Sequence, residues 1–105
     1  MAIAPFTNPN QLTIASAVAA TVPTNRNKKT RLNIESGGSS FSVNAFTTTV
    51  EEATAMGITR RKFEIIASAA ADIAGTEFGG GIVEIEVDCT AYVADIVAEF
   101  IQYTE

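Results

Sequence analysis

Two sets of charged residues have the spacing to act together. Glu84, Glu86 and Asp88 alternate with Val83, Ile85 and Val87. Alternation at period two marks a half-buried strand, so the three carboxylates would share one face, with neighbours roughly 7 Å apart. Such a row is a docking strip for a basic surface. It could also supply part of a site for a hard cation if an adjoining strand added oxygens. One straight strand cannot enclose an ion, so no metal site is assigned. The cations fall into two clusters, Arg26, Lys28, Lys29 and Arg31, then Arg60, Arg61 and Lys62. Each is dense enough to contact nucleic-acid phosphates or an acidic protein partner.

Catalytic chemistry has little to draw on. The chain has no histidine, so it has no imidazole base, no histidine-based triad and no histidine metal ligand. Cys89 is a lone thiol among acidic neighbours, and reads as a small structural side chain rather than a nucleophile. Ser36, Ser39 and Ser40 cluster without a base in reach, and nothing suggests a partner for Glu64 or Asp72. The run Gly79-Gly80-Gly81 lacks the Lys-Ser or Lys-Thr of a phosphate loop and leads into a strand, so it reads as a bend. The expectation is a protein that is not an enzyme and binds no cofactor.

The charge is polarised along the chain. All seven basic residues precede Phe63. Residues 1–62 carry seven positive and three negative charges, whereas residues 63–105 carry nine negative and none positive, for a net charge of −5. Folding can let the two parts neutralise each other. It can also display them on different faces, so that one subunit attracts the next and charge sets register and partner choice.

The elements that would position these groups follow from periodicity. In residues 1–10, Pro5 and Pro9 forbid a regular helix, and the segment reads as an extended arm. Leu12, Ile14, Val18 and Val22 alternate with polar residues over 11–22, as one half-buried strand or two short ones. Residues 30–35 alternate again, with Leu32 and Ile34 inward. Ser36-Gly-Gly-Ser39 reads as a hairpin turn into a strand over 40–46. Thr48 with Glu51, or Thr49 with Glu52, makes a capping box for a helix over about 49–56 that Gly57 ends. Thr59 can cap a second helix to about residue 74, with Phe63, Ile66, Ala70 and Ile73 on one face. A strand over 82–88 and a C-terminal helix over about 90–103 complete the chain. In that helix Tyr92, Val93, Ile96, Val97, Phe100 and Ile101 form the apolar face, and Ala91, Ala94 and Ala98 tip the choice away from strand. The predicted fold is α+β: residues 11–105 form one small domain, an antiparallel meander sheet with a helical pair and a terminal helix.

The stretch from Thr48 to Gly75 resembles the helix-turn-helix motif of DNA-binding proteins. The likeness rests on Ala53, Gly57 in the turn, Ile58, Thr59 at the second cap, and Phe63 and Ile66 as buried positions. It implies a recognition helix that leads with Arg60, Arg61 and Lys62. Along the same face Glu64 and Asp72 would meet phosphate with the wrong charge.

Composition bounds the role. The chain has 105 residues, a single cysteine, no tryptophan and no histidine. No run approaches the eighteen apolar residues of a membrane-spanning helix. The N-terminus lacks the basic start and apolar stretch of a signal peptide. Ala and Thr supply 30 residues, which leaves few large core anchors and favours burial of further surface against copies of the same chain. The expected role is a structural protein that self-associates into a symmetric oligomer or particle, of the kind found as virion coat, decoration or tail subunits. Its expected place is the cytoplasm or a virion, with nucleic acid as a further partner through the basic clusters. The alternatives are a helix-turn-helix regulator and a small acidic inhibitor or adaptor.

Overall fold

Ile96–Tyr103 is the segment that decides the architecture. Its residues are alternately buried and half-buried along the whole length, a strict period of two that only a strand produces. Ile96, Ala98, Phe100 and Gln102 point inward, and Val97, Glu99, Ile101 and Tyr103 outward. The terminal helix expected from the sequence is therefore absent. A computed structural model describes residues 11–103. It contains eight strands and one short helix in the order β1 (Gln11–Ile14), β2 (Ala19–Pro23), β3 (Lys29–Glu35), β4 (Ser40–Phe46), α1 (Val50–Met56), β5 (Phe63–Ala69), β6 (Ile73–Phe78), β7 (Glu84–Ala91) and β8 (Ile96–Tyr103). The protein is mostly β and not α+β. The expected extended arm over residues 1–10 lies outside the described residues.

The strands form two antiparallel four-stranded sheets, β1-β8-β3-β6 and β2-β7-β4-β5, and not one meander. The pairing has a simple logic. β1 pairs β8, β2 pairs β7, β3 pairs β6 and β4 pairs β5. The chain is thus one long hairpin, closed at β4–β5 and wrapped around a core, with β3–β8 and β4–β7 joining its turns. This is the connectivity of an eight-stranded jelly roll. Both sheets contribute to one core. Ile14, Leu32, Ile34, Ile96 and Phe100 come from the first sheet, and Val22, Phe41, Val43, Ile85, Val87 and Cys89 from the second.

The turns explain why the chain changes sheets. Ser36-Gly-Gly-Ser39 does not close a hairpin, because β3 and β4 lie in different sheets. Its serines are tied to other loops instead. The Ser36 amide donates to Asp72 Oδ1 at 2.9 Å, and Ser36 Oγ donates to Ala70 O at 3.3 Å. Ser39 Oγ donates to Ala94 O at 2.6 Å and accepts from the Val93 and Ala94 amides at 2.8 and 3.0 Å. Asp72 and Ser39 thus hold the β5–β6 and β7–β8 connections against the β3–β4 turn. At the other end, Gln102, only 2% exposed, accepts from the Asn25 amide and donates to Asn25 O and to Thr30 Oγ1. A buried amide satisfied in this way fixes the β2–β3 turn against the core. The glycine run lies against the same turn: Gly81, at φ 97°, donates to Arg26 O at 2.7 Å, and a Cβ on Gly80 would sit 3.0 Å from that oxygen.

The single helix forms where the capping signals are strongest. Thr49 Oγ1 accepts from the Glu52 amide and Glu52 Oε1 accepts from the Thr49 amide, at 3.1 and 2.9 Å. Gly57 ends the helix at φ 68°, a conformation that costs a residue with a Cβ more. The helical pair does not exist: residues 58–62 have no regular structure, and β5 and β6 replace the second helix. Its alanines carry only tenths of a kcal/mol of preference each, which pairing with β4 and β3 outweighs. Of the two readings of residues 11–22, one strand or two short ones, the structure has two strands, because the Ser16–Ala17 bend carries the chain from one sheet to the other. No described helix is long and apolar enough to cross a membrane.

Candidate interaction surface

The outer face of the second sheet carries the acidic row. Glu84, Glu86 and Asp88 project from β7, between β2 and β4, because Ile85, Val87 and Cys89 take the inward positions. From the far side of β4, residues 58–62 lead into β5 and set the second basic cluster beside this row. Arg60 Nη1 donates to Glu84 Oε1 at 2.6 Å, and Lys62 Nζ donates to Glu86 Oε1 at 2.9 Å. Glu86 Oε1 also accepts from Asn44 Nδ2 at 3.0 Å. The Arg60 guanidinium lies 3.9 Å from the centre of the Phe46 ring, close enough for a cation–π contact. Hydrogen bonding to Glu86 and its negative charge raise the Lys62 pKa above the ordinary value.

The polarised charge is therefore in large part settled within the chain. Arg60 and Lys62 do not lead a recognition helix, and Glu84 and Glu86 are not a vacant strip for a partner. Asp88 belongs to the same row and adds to the field at Lys62. The Arg61 guanidinium lies 5.3 Å from the centre of the Phe63 ring.

The first basic cluster is divided among three places. Arg26, in the β2–β3 turn, donates to Glu52 Oε1 of α1 at 2.7 Å. Arg31, on the outer face of the first sheet, lies 3.8 Å from Glu77 and 5.8 Å from the centre of the Tyr103 ring. Lys28 in the turn and Lys29 at the start of β3 line, with Arg26, Asn27 and Gly80, an open hollow of about 210 Å³. Periodicity alone could not have found Asn44, Ser39, Asp72 or Gln102, because their partners lie 36 or more residues away in sequence.

Glu52 joins the turn to the helix. The hydrogen bond from Arg26, then that from the Thr49 amide, lowers its pKa from 4.5 to about 2. A carboxylate with a lowered folded-state pKa stabilises the fold above its unfolded value and loses that contribution as pH falls through the folded value. Glu52→Gln should therefore lower the melting temperature at pH 6. The gap to the unmodified chain should narrow as pH drops from 4.5 towards 2. A gap that stayed constant over that range would show that Glu52 is not held down by these contacts.

The remaining chemistry is structural. Cys89 is buried in the core. Asp72 Oδ1 is occupied by the amide and hydroxyl of Ser36, the latter at 3.3 Å, which clamps a turn. Among the described residues no three acidic or cysteine side chains converge on a point where a metal ion would sit. An apolar hollow of about 310 Å³ opens between Thr47, Thr48, Ile58 and Phe63, with Arg60 and Arg61 at its rim. Val50, Met56, Ile58 and Phe63 are all more than 40% exposed, and they lie on α1, the segment leading into β5 and the first residue of β5. Comparison with known protein families, curated proteins and solved structures finds no match to this chain.

Proposed function

We propose that this protein is a structural subunit that self-associates into a symmetric oligomer or particle, of the virion coat, decoration or tail kind. The observation that carries the reading is the wrapped-hairpin connectivity of two four-stranded sheets. Coat-type shells, lectin domains and cupins share this architecture. The support is by analogy of fold, which hosts several functions. Two features of this chain favour assembly among them. Four ion pairs among the described residues close within one subunit, so packing against neighbours need not strand them. Four of its exposed apolar side chains, Val50, Met56, Ile58 and Phe63, lie on α1 and at the start of β5, a clustering that favours a contact surface.

Solution mass by light scattering, at low and high salt, tests the proposal. A defined mass several times that of the 11.1 kDa chain is expected. Persistence at high salt is expected as well, because the charge pairs are internal. The ratio of absorbance at 260 and 280 nm in the same sample reads bound nucleic acid sensitively, since the chain has two Tyr and no Trp. Bound nucleic acid would identify a coat that contacts a genome. A monomer under all conditions would overturn the reading.

A further inference from the structure

Resting on the self-association reading, we infer that β5 is the assembly edge, and that a second copy of this chain adds its own β5 antiparallel to it across a two-fold axis near Ile66. The second sheet would then run through both subunits as eight strands. Strand β5 has one neighbour, β4, so among the described residues no strand takes the backbone donors and acceptors of its outer edge. Open edges of this kind pair with other chains unless something blocks them. Strand β5 has the sequence Phe-Glu-Ile-Ile-Ala-Ser-Ala, and none of these residues is fully buried. Burying such side chains against a partner is favourable.

Among the described residues, each of the other three edges carries a feature that disfavours pairing. β1 has four residues. In β2, the Cys89 amide donates to Val18 O and the Thr24 amide donates to Val83 O. The even-numbered residues therefore face β7 and the odd-numbered ones face out, which puts Pro23 on the outer edge without an N–H. β6 is interrupted by Gly75, at φ 72°, whose amide is taken by Asn33 Oδ1 at 2.7 Å. β5 has no proline and a single charge, Glu64. Its two register shifts against β4 increase its twist, and two identical strands share that twist.

The sequence of β5 is complementary to itself in this register. Phe63 meets Ala69 of the second copy, Glu64 meets Ser68, and Ile65 meets Ala67. At the axis Ile66 meets Ile66, on either side of it each larger side chain faces a smaller one, and no like charges are opposed. The apolar hollow around Ile58 and Phe63 lies at the margin of this contact. An isologous contact of this kind closes on itself, as most oligomer interfaces do.

Ala67 is exposed, so Ala67→Lys places a charge on the edge without disturbing the core. Sedimentation equilibrium of the full chain should show that Ala67→Lys weakens self-association at least tenfold. Thr21→Lys, on the outer edge of β2, should leave it unchanged. Hydrogen exchange on the unmodified chain gives a second reading that needs no variant. Amides within residues 63–69 should gain protection as concentration rises, and those of residues 19–23 should not. An assembly that keeps its mass in Ala67→Lys, or shows no concentration-dependent protection in β5, would overturn this edge while leaving self-association intact. A chain that is monomeric at every concentration would remove both.

Discussion

Phe100→Ala is expected to cost about 3–5 kcal/mol of folding stability, and Ile101→Ala about 1 kcal/mol. Phe100 is fully buried at the centre of β8, opposite Leu32 of β3. Truncation removes a large apolar surface and leaves a cavity that the surrounding strands cannot fill without bending. A loss of that size is a substantial part of the 5–15 kcal/mol that holds an ordinary domain together. Ile101 is its neighbour in sequence but points to the outer face, where it is half-exposed. A helix would bury both residues on one face, and the two substitutions would then cost similar amounts. Urea denaturation of both variants separates the cases. Equal losses would show that the alternation along Ile96–Tyr103 is wrong.

Ser39→Ala should cost about 2 kcal/mol, within the range for leaving buried polar groups unpaired. The Ser39 hydroxyl makes three hydrogen bonds to the backbone of Val93 and Ala94, and the residue is 0% exposed. Alanine leaves two amides and a carbonyl of the β7–β8 turn without this partner. Ser40→Ala should cost far less, because Ser40 is only partly buried at the start of β4. Thermal unfolding of both variants provides the check, and a neutral Ser39→Ala would mean that the turn holds itself. The comparison also bears on chemistry. In the cluster Ser36, Ser39 and Ser40, two hydroxyls are occupied by turns, so their conspicuous spacing has a structural cause.

The two basic clusters show how far charge could be read in advance. That the halves of the chain might neutralise each other was legible in the composition. Which cation would meet which carboxylate was not. Arg60 reaches Glu84, and Lys62 reaches Glu86, because β4 is the only strand between β5 and β7. That adjacency is a property of the sheet order. The likeness to a helix-turn-helix motif rested on a helix start and a glycine turn that are both real, since Thr49 and Gly57 cap α1 as their types require. It failed beyond Thr59, where the apolar spacing suits a helix face and an edge strand equally well. An alanine-rich segment with a partner on one side only has neither a strong local preference nor a clean alternation to announce it.

By itself the sequence determined the local signals, which need only near neighbours. It placed β3 and β4 to within a residue, because their inward Leu32, Ile34, Phe41 and Val43 alternate with polar residues. It placed α1 through its capping box, and the outward row of Glu84, Glu86 and Asp88. Tertiary structure alone decided the rest. Pairing across the wrapped hairpin made strands of residues 63–69, 73–78 and 96–103, because the hydrogen bonds that stabilise a strand lie on other strands, far away in sequence. The same pairing buried Gln102 and Ser39, gave Glu84 and Glu86 their cations, and left β5 with a strand on one side only among the described residues. Helix signals are local and can be read along the chain. Sheet partners are not, and here they set both the fold and the surface it presents.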